Sequence, residues 1–319
     1  MKTIYLDYAS STPVDQEVVK AMKPYLEKYF GNPACLHPYG LEAKSAIENS
    51  RKQVAILLNA SPKEIVFTSG VTESNNHAIK GVAFACKKKG NHIITTTIEH
   101  PSVTKTCQFL ETQGFKTTYI PVDKYGVVDL KILESKITKK TILVSVMHSN
   151  NQIGTIQPIK KISEITRKHN ILLHSDATQS IGKIPIDINS PEIDILSISG
   201  HKSYAPKGVG ALYIKSGVKI ESLIHGSQQE EGRRAGTENL LGIVGLGKAY
   251  EVAFRDMDKN ISRMKEMRDL LYLKLKNSLK EIHLNGHPTK SLPDILNVSF
   301  IGMTSEELFN KIREFIALT

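Results

Sequence analysis

The chain has 319 residues, 40% of them hydrophobic, and its 42 Lys and Arg outweigh 32 Asp and Glu to give a formal charge of +10. That length supports a large core and more than one domain, while no apolar stretch is long enough to span a bilayer, so no membrane partner is expected. The positive charge is dispersed, with Lys87-Lys88-Lys89 as its longest run, so no direct nucleic-acid partner is expected either.

Three widely spaced cysteines, Cys35, Cys86 and Cys107, argue against a disulfide framework or a zinc site. They point to reduced thiols and a cytoplasmic location. Asp7 stands where a signal peptide would need its apolar core.

In chain order, residues 4–8 alternate like a short strand. Pro13 and Asp15 open a helix through Val18, Val19 and Met22, and a second helix covers residues 40–58. Strand and helix then alternate. Strands are expected at 65–68, 92–96, 117–121, 141–147, 171–174, 193–198 and 210–214. Helices are expected at 72–88, after Pro101, at 132–137 and at 159–169. The run Lys87 to Lys89 reads as the solvated last turn of its helix.

This rhythm predicts an α/β fold, a mostly parallel sheet covered by helices, with ligands beyond the carboxyl ends of the strands. After Gly242 one long helix is expected through Tyr250 to Leu275. Gly242, Gly245 and Gly247 resemble a dinucleotide fingerprint but follow no strand, so that match is discounted. Strands at 282–284 and 295–300 precede a helix over 305–315 capped by Ser305, with Glu306 and Glu307 in its first turn. The chain is expected to stop directly after that helix, leaving a small α+β domain unfinished.

Several motifs fall at strand ends. Thr68-Ser69-Gly70-Val71-Thr72 is a strand, turn and helix start, a ready anion site or merely a cap. Ile98-Glu99-His100 offers a ring that could stack on a flat ligand and pass protons near neutral pH. Asp176-Ala177-Thr178-Gln179 brings a carboxylate that could cap a helix, bind a metal or pair with a cationic ring nitrogen. No spaced ligand cluster accompanies it, which disfavours a metal. Asn150-Asn151 offers amides. Ser199-Gly200-His201-Lys202 presents a lysine that, out of bulk water, can become a nucleophile. A lysine amine, an anion cradle, a carboxylate and a histidine are the set a pyridoxal phosphate enzyme needs.

These motifs, with Tyr5-Leu6-Asp7-Tyr8, Gly31-Asn32-Pro33, Thr72-Glu73-Ser74, Asn150-Asn151-Gln152-Ile153-Gly154 and Arg234-Ala235-Gly236-Thr237, resemble the cysteine desulfurases of the NifS/IscS type over essentially the whole chain. The resemblance implies the aspartate-aminotransferase-like fold (fold type I). Residues 16–250 would form the cofactor-binding large domain, and 1–15 with 251–319 an incomplete small domain. It implies a homodimer that takes sulfur from L-cysteine, leaves L-alanine and passes the sulfur through a cysteine persulfide to an acceptor protein.

By position, Lys202 would bond the cofactor aldehyde and shuttle the α-proton. Asp176 would meet the pyridine nitrogen, Gln179 the ring hydroxyl, and His100 the ring face. Val71, Thr72, Ser199 and His201 would hold the phosphate, Thr237 would reach the phosphate in the other subunit, and Asn151 would lie beside the ring hydroxyl and substrate carboxylate.

The family's persulfide cysteine and substrate-binding arginine would come beyond Thr319, and none of the three cysteines matches that position, so the resemblance implies a chain that binds the cofactor but is inactive in desulfuration as given. The segment from Gly226 to Glu231 also departs from the family, which usually has more glycine and a basic residue there. Two other readings stay open: a catalytically incomplete cofactor-binding or partner-binding chain, and another fold type I enzyme such as a selenocysteine lyase.

Overall fold

The computed structural model describes residues 3–190 and 192–318. Met1, Lys2 and Thr319, which the small-domain expectation includes, lie outside the described residues, as does Pro191.

Strand β1 (Ile4–Tyr5) leads into helices α1 (Gln16–Glu27) and α2 (Pro38–Leu58). There follow β2 (Ile65–Thr68), α3 (Val71–Ala85), β3 (His92–Thr96), α4 (Pro101–Thr112), β4 (Lys116–Ile120) and α5 (Leu130–Ser135). Next come β5 (Thr141–Ser145), α6 (Ile159–Lys168), β6 (Leu172–Asp176), β7 (Ile195–Ser199) and β8 (Gly210–Ile214). The chain continues with α7 (Leu240–Arg255), α8 (Met257–Ser278), β9 (Ile282–Leu284), β10 (Val298–Phe300), α9 (Ser305–Ile312) and β11 (Ile316–Ala317).

The central sheet has the order β2-β8-β7-β6-β5-β3-β4. Only β8 runs antiparallel to its neighbours; the other pairs in this sheet are parallel. Strands β2, β5, β7 and β8 are buried along their whole length, which is why they read as apolar runs and not as alternating patterns. Successive residues of β7 still divide between the faces. Leu196 and Ile198 join the core under α2 and α7, while Ile195 joins the one under α3 and α4.

Helix α7 lies tightly on α2: a Cβ at Gly247 would come within 2.6 Å of Ser50 Cα. Gly245 likewise lies close to Met22 of α1, so two of the glycines that imitate a dinucleotide motif serve helix packing.

Three local expectations are corrected. The long helix after Gly242 breaks at Asp256. Helix α7 carries the buried face, whereas α8 buries none of its residues, so the chain changes course where core contact ends. The cap of α9 is Thr304 and not Ser305. Thr304 Oγ1 accepts from Glu307 N at 3.2 Å and Thr304 N donates back to Glu307 Oε2 at 2.8 Å, a reciprocal box that only this register permits. That helix ends at Ile312, and a strand does follow it: β11 pairs in parallel with β1, Ile4 opposite Ile316. Tertiary pairing with the opposite end of the chain makes these two residues a strand.

Candidate active site

The connectivity gathers the motifs at one edge of the sheet. Parallel β3, β5, β6 and β7 all point their carboxyl ends the same way, and β2 runs with them because β8 lies antiparallel to both β2 and β7. Val71, Thr72, His100, Asn151, Asp176, Gln179, His201 and Lys202 line one cleft of about 350 Å³. Ser199 ends β7 and is buried beside the turn to Lys202. Thr237 stands apart, on an exposed loop that does not line the cleft. Ala9, Ser10, Met147, Ser149, Gln152 and Thr178 also line it and were not singled out from the sequence. Thr178 and Gln152 carried a signal, since each lies within a quoted motif, Thr178 between Asp176 and Gln179 and Gln152 directly after Asn151.

Burial pushes Lys202 below the usual lysine range. Asp176 and Asp7 oppose that shift, and Lys183 adds to it. Asp176 accepts from Thr178 N at 3.0 Å on Oδ1 and from Asn75 Nδ2 at 2.7 Å on Oδ2. His100 caps α4, its Nδ1 accepting from Ser102 N at 3.1 Å, and burial lowers its pKa. His201 is likewise lowered by burial and then by the cations of Lys202 and Lys207. Its ring lies 3.3 Å from Ser11 Oγ, and its carbonyl accepts from Thr12 N at 2.9 Å, so the N-terminal segment braces the lysine turn. Gln179 Nε2 donates to Ala9 O at 3.0 Å.

The next shell holds these groups still. Asn150 Oδ1 accepts from the backbone N–H groups of Gln152 and Ile153, which fixes the loop bearing Asn151. Glu99 accepts from Thr96 Oγ1 at 2.6 Å and from Met147 N at 3.0 Å, joining β3 to the wall formed by Met147. Burial raises its pKa to about 8. Glu73 accepts from Ser69 N and, at 2.9 Å, from Arg234 Nε, so the loop carrying Thr237 is tied to the turn after β2. The departing segment before that loop holds Glu230 and Glu231 in the left-handed region, at φ 50 and 57. It is anchored by the buried pair of Arg51 and Glu230.

The donor set fits pyridoxal phosphate. Helix α3 opens beside Gly70 with no side-chain cap, leaving the N-terminal N–H groups at Val71 and Thr72 for an anion. Ser199 Oγ and Thr178 Oγ1 are buried without a hydrogen-bond partner among the described residues. Such orphaned hydroxyls call for a bound polar group. Asp176 is a carboxylate of the kind that could pair with a protonated ring nitrogen. Among the described residues there is no cluster of His, Cys, Asp or Glu able to hold a metal ion.

No cysteine lines the cleft. Cys107 is fully buried and its thiol is pushed up to about 12 by burial; Cys86 and Cys35 are half-buried elsewhere.

The family model for class-V aminotransferases matches residues 4–318. A cysteine desulfurase IscS of Dictyoglomus turgidum is 50% identical over 307 residues, covering 96% of this chain and 78% of that protein. A solved structure described as a NifS-like protein has a TM-score of 0.95 at 42% identity, covering 98% of this chain and 86% of that one. Another, described as SspA in complex with cysteine, has a TM-score of 0.88 at 38% identity, covering 99% of this chain and 89% of the other.

Proposed function

The chain belongs to the class-V aminotransferase family, as a cysteine desulfurase, and we propose that its cleft binds pyridoxal phosphate and takes sulfur from L-cysteine. The observation that carries this reading is the meeting of Lys202, Asp176 and His100 in one cleft with the uncapped start of α3.

Lys202 would hold the cofactor aldehyde, Asp176 its ring nitrogen, and Gln179 its ring hydroxyl. The ring would lie against His100, with Asn151 nearby, and Val71, Thr72, Ser199 and His201 would take the phosphate. When bound, the cofactor supplies an aldehyde for amines and a ring that withdraws negative charge from the substrate's α-carbon.

The chain's own residues do the rest. Burial lowers Lys202, so its amine is available as a base nearer neutral pH and can remove and return the α-proton of L-cysteine. Burial likewise lowers the His100 pKa, and because Nδ1 accepts from Ser102 N the neutral ring carries its hydrogen on Nε2. The sulfur passes to a thiolate, the effective nucleophile: a sulfur–sulfur bond forms as the Cβ–S bond breaks, and the electron pair left on the substrate carbon takes up a proton to give alanine.

Residues 16–250 are read as the large domain, with 1–15 and 251–319 as the smaller one. The protein works as a homodimer, with Thr237 reaching the phosphate in a second copy. It acts in the cytoplasm and passes sulfur to an acceptor protein for iron–sulfur cluster or thio-modification pathways.

Purified protein saturated with pyridoxal phosphate should show a visible absorption band that disappears in Lys202→Ala, and L-cysteine should yield alanine and, with added thiol, sulfide. An unchanged band in Lys202→Ala would remove the lysine from its role.

A further inference from the structure

Asn75 lies in the second turn of α3 and is fully buried. Its Nδ2 is 2.7 Å from Asp176 Oδ2 and 2.8 Å from Ser102 Oγ. Ser102 Oγ is in turn 2.8 Å from His100 Nδ1, and Ser102 N donates to the same nitrogen at 3.1 Å. Three elements, α3, α4 and β6, thus meet at one amide.

The directions of these bonds follow from what each group can donate. The carboxylate of Asp176 already accepts from Thr178 N on its other oxygen, so only the amino end of Asn75 can face it. That nitrogen carries two hydrogens: one goes to Asp176 and the other to Ser102 Oγ. Ser102 keeps its own hydrogen for His100 Nδ1, which therefore accepts, and the neutral ring carries its hydrogen on Nε2. Burial keeps the ring neutral, with Asp176 pulling the other way and Lys202 reinforcing the effect.

Asn75 Oδ1 is buried with no hydrogen-bond partner among the described residues. An unpaired buried carbonyl costs stability that an apolar side chain of similar shape would not incur. Departures of this kind from local rules are expected at functional or strained positions.

We propose that Asn75 is a positioning residue: it holds the carboxylate of Asp176 and, through Ser102, the imidazole of His100 in a single frame. The proposal rests on the reading of Asp176 and His100 as the groups that meet the cofactor ring. Asn75 does not itself line the cleft. Its two bonds make a twofold demand: the carboxylate sets cofactor retention, and the imidazole sets how fast bound substrate reacts. Breaking only the Ser102 link should separate the two.

The test uses the full chain loaded with pyridoxal phosphate and follows its visible band. Ser102→Ala leaves the Asn75–Asp176 bond, so the cofactor dissociation constant should stay within about twofold of wild type while the rate at which L-cysteine shifts the band falls about tenfold. Asn75→Leu should raise the dissociation constant about tenfold and slow the band shift at least as much as Ser102→Ala. Nitrogen NMR should show the His100 ring, identified by its loss in His100→Gln, with hydrogen on Nε2 and none on Nδ1.

Should Asn75→Leu fail to fold, Asn75→Ala carries the same expectations. The frame is overturned if Asn75→Leu lowers only the melting temperature, if Ser102→Ala weakens cofactor binding as much as Asn75→Leu does, or if Nδ1 carries the hydrogen. A wild type that shows no visible band overturns the cofactor reading itself. A normal band with unmoved variants overturns the frame alone.

Discussion

Lys183 Nζ lies 2.5 Å from Asp294 Oδ2, with both side chains nearly buried. The pair pins the segment after β9 to the turn that carries Gln179, whose Oε1 is 3.5 Å from the same ammonium. Around it, Leu292 N donates to Gly154 O at 2.9 Å, so the segment also braces the loop behind Asn151.

Removing one member of a buried pair leaves the other charge without compensation. Asp294→Ala should therefore cost about 3–5 kcal/mol, whereas the apolar double change Lys183→Met with Asp294→Leu should cost far less. Urea unfolding at unchanged slope measures both. A single variant no less stable than the double would show that the pair pins nothing.

Glu99 makes stability depend on pH. Its folded-state pKa is raised to about 8 by burial, from an ordinary value of 4.5. The folded protein therefore binds more protons than the unfolded chain between those values, and this group's contribution is complete below 4.5 and lost as pH rises through about 8. Glu99→Gln keeps an acceptor for Thr96 and Met147 but cannot ionise. Its stability relative to wild type should rise with pH across that window, by at most about 1.4 kcal/mol per pH unit. Chemical denaturation of both proteins at pH 5.5 and 8.5 decides it; parallel curves would mean that Glu99 is not held neutral.

Gly210 lets β8 pass close to the turn that opens α3. An added Cβ would lie 2.7 Å from Ile198 O and 2.9 Å from Gly70 Cα, both backbone atoms that cannot swing aside. Gly210→Ala should cost about 1–3 kcal/mol by overpacking and should weaken cofactor retention, because the displaced turn carries Val71 and Thr72. Calorimetry and cofactor titration report the two effects. Unaltered retention would uncouple the strand from the anion site.

Much of the candidate site was readable along the chain because the residues that line its cleft sit in short motifs at the ends of apolar runs. Lys202, Asp176 and His100 each follow a strand whose hydrophobic pattern is unmistakable, and parallel strands deliver such ends to one edge. Asn75 had no such signal. It reads as an ordinary polar residue early in a helix, and its partner Asp176 is 101 residues away. Ala9 and Ser10 were equally silent, since the N-terminal segment reaches the cleft only by crossing to Gln179 and His201.

By itself the sequence determined the order of strands and helices and the chemistry offered at each strand end, because side-chain periodicity and turn residues are local properties of consecutive positions. Tertiary structure alone decided the break at Asp256, the strand at Ile316 and Ala317, and the amide joining Asp176 to His100. Those depend on which distant groups are brought within hydrogen-bonding reach, and a bond of a few ångströms between remote positions leaves no period in the chain to read.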